Sequence, residues 1–297
     1  MPVSAPPGPR SRATRALYLI PLLALLATGC ASASGAEPDA DPTAAIPLPG
    51  PDDGSSDEGS PGTAGAGDGA HEPVGDGPLH DRVVVIDPGH NGGNAEASSE
   101  INRLVPAGPQ QKACDTVGAE TGSGYPEHLF NWELSLLVKE RLEADGATVI
   151  LTREDDEGVG PCINERAEIG NEADADAALS IHADGGPETG RGFHVIVPGE
   201  VEGYTEEIVE PSRELAEDLR REYREGTDIP YADYLAQDGL DERTDLGGLN
   251  MSTVPKVFLE AGNMRNPEDA ALLEDPQWQE RAANSIARAL AVYLLRE

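Results

Sequence analysis

Between residues 82 and 295, short apolar runs alternate with amphipathic stretches, the rhythm of strands and helices in an α/β domain. Val83, Val84, Val85 and Ile86 open the series and predict a buried strand over residues 83–87, which stops at Asp87-Pro88-Gly89-His90. A helix is predicted over 129–144, where Leu129, Trp132, Leu136, Val138 and Leu142 fall on a broadly helical face and Gly146 follows as a stop signal. Further strands are predicted over 147–152, 177–181, 192–197 and 256–259, and helices over 165–172, 212–225 and 276–295. Residues 198–212 are acidic and read as a loop beside an open groove. The pattern implies a single α/β domain over residues 80–297, a twisted sheet with helices on its faces.

The first eighty residues break this rhythm. Arg10, Arg12 and Arg15 precede an apolar stretch over 16–27 that is too short to span a bilayer comfortably, the form of an export signal over residues 1–30. Its end, Ala27-Thr28-Gly29-Cys30, resembles a bacterial lipoprotein box, with Ala27 where leucine is usual. Cleavage before Cys30 and lipidation of its thiol would anchor the chain to the outer face of a membrane; a plain secretory signal is the alternative. Residues 31–79 are Ala, Gly, Ser, Pro, Asp and Glu with scarcely a large apolar side chain, which predicts a disordered acidic linker.

Charge narrows the partners. Asp and Glu number 55 against 21 Lys and Arg, a net charge of −34 over 297 residues, so no basic surface exists to displace counterions from nucleic acid. After Cys30 two cysteines remain, Cys114 and Cys162, both in predicted loops. In an exported chain such a pair predicts a disulfide, and no Cys/His spacing suggests a structural zinc.

Candidate chemistry gathers at element ends. His90 follows the first strand, His182 closes "ALSIHAD", Glu260 closes "VPKVFLE" and Glu127 precedes a helix. Open α/β sheets collect ligands at the carboxyl ends of their strands. Two imidazoles and a carboxylate are the ligand set of a catalytic zinc that keeps one position open, and a further carboxylate would serve as general base. Each residue alone has an ordinary reading: His90 a turn residue, Glu127 a carboxylate favourable at a helix N-terminus, His182 a core histidine. A carboxylate ending "VFLE" is costly to bury without a partner or a function. Residue types and spacing support a metal hydrolase and stop there.

Five segments carry a resemblance further. "VVVIDPGHNGG", "PEHLFNWELSLLVKERLEADGATVILTRED", "INERAEIGNEADADAALSIHAD", "GRGFHVIV" and "VPKVFLEAGNMRNPEDAALL" occur in the order seen in zinc-dependent N-acetylmuramoyl-L-alanine amidases. The chain resembles the actinobacterial branch of that family from about Arg82 to Leu295, with Asn91 where Gly is frequent after the first histidine. The resemblance implies a mixed sheet, one zinc held by His90, Glu127 and His182, and Glu260 as the catalytic glutamate. It also implies peptidoglycan or muropeptides as substrate, cut between the lactyl group of N-acetylmuramic acid and L-alanine. Arg191, Arg243 and Asn250 are candidates for contacting substrate, with surface ion pairs the alternative for the arginines. Asp87 is a candidate partner for a ligand imidazole, and His128 and His194 read as bystanders. A zinc peptidase or deacetylase, or a wall-binding lipoprotein without catalysis, are the competing functions, and a monomer is expected.

Overall fold

The protein was analysed as a computed structural model, which describes residues 76–296. The export signal, Cys30 and nearly all of the predicted linker lie outside the described residues. In chain order the elements are β1 (Val83–Pro88), α1 (Ser98–Ile101), β2 (Leu104–Pro106), β3 (Gln111–Ala113), α2 (Glu127–Ala144), β4 (Thr148–Leu151) and α3 (Ile163–Glu172). They continue with β5 (Ala177–Asp184), β6 (His194–Pro198), α4 (Val209–Thr227), β7 (Leu240–Arg243), α5 (Gly247–Asn250), β8 (Lys256–Asn263), α6 (Pro267–Leu273) and α7 (Pro276–Leu294).

Six strands form one mixed sheet in the order β4-β1-β5-β8-β6-β7. The first four are mutually parallel, β6 runs antiparallel to β8, and β7 follows β6 in parallel. Parallel strands bury both faces, which is why β1 is an unbroken apolar run rather than an alternating one. Leu134, Val138 and Leu142 of α2, Leu215 and Tyr223 of α4, and Ile286 of α7 cover one face together with Trp278. On the other face Val85 and Ala178 meet Val254 and Ile169 in a smaller cluster. Helices α6 and α7 each begin with Pro at the first helical position behind a capping side chain, Asn266 and Asp275 respectively.

Several elements depart from the sequence pattern. The core face of α2 is Phe130, Leu134, Val138 and Leu142, while Leu136 is 41% exposed. Trp132 turns outward beneath the Arg153 guanidinium, 5.0 Å from its ring. The helix is rotated so that Glu127 and Asn131, one turn apart, face the sheet end. Strands β5 and β8 run to Asp184 and Asn263, so His182 and Glu260 lie inside paired strands rather than past their ends. Leu79, at the end of the predicted linker, is fully buried in the main core. The charged edge strand β7 and the β2–β3 hairpin have no periodic signature, and the loop expected over 198–212 is shorter, with turns over 202–208 and α4 already begun at Val209.

Candidate active site

Strand alternation decides which side chains meet, since every second residue shares a face. On the face opposite α2, α4 and α7 lie Asp87 of β1, Ser180 and His182 of β5, and Lys256, Phe258 and Glu260 of β8. His182 and Glu260 are direct neighbours in the β5–β8 ladder.

His90 reaches this face from the turn after β1, with a backbone φ of 61°, a region non-glycine residues rarely occupy. Gly89 precedes it because the His182 ring passes so close: a Cβ there would sit 2.1 Å from Cε1 of His182. Gly118 is constrained in the same way, at φ 87°, where a Cβ would lie 2.8 Å from the His90 ring and 2.9 Å from Glu127 Oε2. Glu127 is the first residue of α2, and its Oε1 lies 3.2 Å from His90 Nε2 and 3.0 Å from His182 Nδ1. The backbone N–H of Ala119 donates to its other oxygen at 2.7 Å. One donor atom from each of His90, Glu127 and His182 lies within 4.8 Å of the others. The His182 ring stacks on Phe258, 5.4 Å between centroids, and meets the His90 ring edge-on at 4.8 Å.

The charges are mutually sustaining. Burial opposes ionisation of Glu127, but the two imidazoles hold its carboxyl well below the usual range. Burial likewise works against a charged His90, but Glu127 and Asp115 lift the imidazole to about 10. Two nitrogens and one carboxylate oxygen gathered at one point suit a borderline metal ion better than calcium or magnesium, which prefer oxygen alone.

Two residues that the sequence pattern did not single out hold the His90 turn. Asp115 Oδ1 accepts from His90 Nδ1 at 3.1 Å, and Asn91 donates to its second oxygen at 3.0 Å. Arg166 of α3 donates to the carbonyls of Pro88 and His90 at 2.8 and 2.9 Å and to Asn91 Oδ1 at 2.9 Å. A disulfide joins Cys114, the neighbour of Asp115, to Cys162, one turn before Arg166, as the sequence predicts. Cys114 next to an acidic residue was the available signal for Asp115; Arg166 offered none.

Asp87 does not meet an imidazole. It accepts from Thr152 at 2.6 Å, Arg166 at 2.7 Å, Ser180 at 2.5 Å and Lys256 at 3.3 Å. Its register on β1 turns it inward, under the sheet end, where Lys256 is 1% exposed. Burial alone would raise its pKa; Lys256 and Arg166 overcome that and hold it well below the carboxylate range.

Glu260 has no such company. Burial raises its pKa well above normal, and the carboxylates of Glu127 and Asp184 add to the rise. With His90, Glu127 and His182 it lines an open cavity of about 1150 Å³. Arg243 also lines this cavity, with its guanidinium on Asp245 at 2.7 and 3.0 Å. Arg191 and Asn250 do not. Arg191 is committed to Glu268 and to buried Asp269, and Asn250 is buried with its amide on the carbonyls of Ala107 and Thr244. His128 borders the cavity and pairs with Asp156 at 2.8 Å. His194 is opposite Glu260 in the β6–β8 ladder, closer to the centre than a bystander in a strand.

The N-acetylmuramoyl-L-alanine amidase family profile, Amidase_3, matches residues 84–292, which takes in every element from β1 into α7. The chain belongs to this family. It is therefore a peptidoglycan hydrolase, and the α/β architecture with a single amidase domain is that of its relatives. N-acetylmuramoyl-L-alanine amidase Rv3717 of Mycobacterium tuberculosis is 42% identical over 213 residues, 71% of this chain and 86% of that protein. Among solved structures, the amidase Ami1 of Mycobacterium smegmatis is similar with a TM-score of 0.68 and 40% identity, covering 73% of this chain and 98% of that one. The apo form of Ami1 from Mycobacterium abscessus gives a TM-score of 0.69 and 40% identity over 73% of this chain and all of that one (100%). The mycobacterial sources agree with the actinobacterial resemblance, and zinc dependence is general in the family.

Proposed function

We propose that this amidase domain binds one zinc ion through His90, Glu127 and His182, and that Glu260 is its general base and acid. The bond cut is the amide between the lactyl group of N-acetylmuramic acid and L-alanine of the stem peptide. The observation that carries this reading is the convergence of three donor atoms within 4.8 Å in a cavity that Glu260 also lines.

The donor set fits the ion: two neutral imidazole nitrogens, one carboxylate oxygen and an open side toward the cavity. Zinc bound there supplies Lewis acidity to the scissile carbonyl and makes an adjacent water more acidic. His90 Nδ1 donates to Asp115, which would leave Nε2, beside Glu127, as the nitrogen offered to the ion. Glu260, with a pKa raised by burial and by neighbouring carboxylates, is a stronger proton acceptor than an ordinary glutamate. It takes a proton from the attacking water and passes it to the departing amine of L-alanine.

We read residues 1–30 as an export signal, Cys30 as the lipid-bearing residue and 31–79 as a tether on the outer face of the membrane, with the catalytic domain acting as a monomer. The basic start, the short apolar stretch and the small-residue run before Cys30 support this. Incubating the exported protein with purified muropeptides, with and without a chelator, and weighing the products tests the central claim. Peptides with a free L-alanine amine should appear, and chelation should stop their release. His90→Ala should lose both zinc and turnover; full activity in that variant would remove His90 from the ligand set. Replacing Cys30 with Ala should release the protein from the membrane fraction.

A further inference from the structure

The cavity is lined by five carboxylates, on Glu96, Glu120, Glu127, Asp184 and Glu260, and by two guanidiniums, on Arg243 and Arg265. The two arginines differ. Arg243 is neutralised by Asp245, at 2.7 and 3.0 Å, with Asp241 at 3.6 Å. Among the described residues Arg265 meets no carboxylate within ion-pairing distance, and its side chain donates no hydrogen bond. Of the described arginines without a carboxylate partner, Arg265 is the one that lines this cavity.

Arg265 is also held in position. Its backbone N–H donates to Asn263 Oδ1 at 3.0 Å, and the Asn263 amide donates to the carbonyls of Pro187 and Gly190 at 2.7 and 2.8 Å. The turn leaving β8 is thereby tied to the loop leaving β5. The aliphatic stem of Arg265 lies over Gly185, where a Cβ would be 3.8 Å from its Cδ. An anchored backbone and an exposed, unpaired fork on the cavity wall suit a planar anion, which guanidinium binds through two parallel hydrogen bonds.

We propose that Arg265 is a specificity-determining residue, a receptor for the stem-peptide carboxylate nearest the scissile amide. The second stem residue, D-glutamate, is joined through its γ-carboxyl, so its α-carboxylate is free unless it has been amidated. That group follows L-alanine by one residue, on the order of 4 Å of extended chain. Arg265 lies at the end of β8, five positions beyond Glu260, and borders the same cavity. Substrate with a free α-carboxylate is favoured over the amidated form because only the carboxylate satisfies the guanidinium.

The proposal rests on the amidase reading, and the experiment keeps the two apart. Holoenzyme is assayed on two synthetic muramoyl peptides that differ only in D-glutamate or D-isoglutamine at the second position. Turnover of either by the wild-type enzyme tests the amidase reading; the ratio of the two kcat/KM values tests Arg265. The wild-type ratio should favour the free carboxylate by about tenfold or more, the ordinary worth of a charge-assisted pair. Arg265→Gln should bring the ratio close to one, mainly through KM on the D-glutamate substrate, and Arg265→Lys should restore part of it. A wild-type ratio of one or less, or a ratio unchanged in Arg265→Gln however far overall activity falls, would overturn the proposal. So would a preference that follows the carboxylate of the third residue instead.

Discussion

Asp87 and Glu260 are buried carboxylates on the same face of one sheet, and their surroundings drive them in opposite directions. Asp87 accepts four side-chain hydrogen bonds, two of them from the cations Arg166 and Lys256, and its pKa is depressed. At Glu260, burial and the carboxylates of Glu127 and Asp184 outweigh the pull of His90 and Arg243, and its pKa is raised. The first carboxylate is stabilised as an anion and serves the fold. The second is held away from its preferred state, as the proposed role of proton carrier calls for.

The comparison can be broken at several points. Glu260→Gln should reduce kcat by about three orders of magnitude or more, on the scale of removing an essential general base. Zinc content should persist, and the melting temperature should stay the same or rise because a strained carboxylate has been removed; a large fall in Tm would show that Glu260 is structural. Asp87→Ala should do the reverse, losing about 3–5 kcal/mol of stability because Lys256 and Arg166 are left buried without a counter-charge. Urea denaturation measures it, and a loss under 1 kcal/mol would mean the network is not what holds the sheet end. Asp115→Ala, which leaves Glu127 in place and removes one of the two acceptors of His90 Nδ1, the Thr116 carbonyl at 3.1 Å being the other, should weaken zinc binding by about tenfold in a competition titration.

The smallest effect concerns pH. Glu260 must be ionised to act as base, so activity is present above its folded pKa and falls as pH drops through it. Burial and the carboxylates of Glu127 and Asp184 raise that pKa, and a cation held by Glu127 would offset part of the rise, so the contribution to test is that of Asp184. Asp184→Asn removes one of the two, and the limb should move to lower pH. A shift to higher pH, or none, would show that Asp184 does not act on Glu260.

Much of this was legible in the sequence. The β-branched run of β1 and the strand "VFLE" announced their elements, and the two histidines and two glutamates at element ends announced a metal hydrolase. What escaped was whatever depended on a partner far along the chain. Asp115 sits in a non-periodic segment and meets His90 through long-range ties, the Cys114–Cys162 bridge and the hydrogen bonds from Asn91 and Asn94 among them. Asp87 had an imidazole nearby in sequence, but its place in the β1–β5 register faces Ser180 and the cations beyond. Helix α2 misled because its polar residues Glu127 and Asn131 are buried at the site, while Leu136 is left in solvent. Strand β7 escaped because an edge strand with three charged residues in four lacks an apolar run.

The disulfide has a consequence beyond the roughly 2–4 kcal/mol that closing such a loop contributes. It joins the neighbour of Asp115 to the N-cap of the helix that carries Arg166, and those two side chains hold the His90 turn. With the bridge reduced, Arg166 still donates to Asp87, Pro88, His90 and Asn91, and Asp115 still accepts from Asn91, so what is lost is the covalent tie between the two segments. The bridge therefore keeps the two sides of the His90 turn within reach of each other, while each side also has contacts of its own.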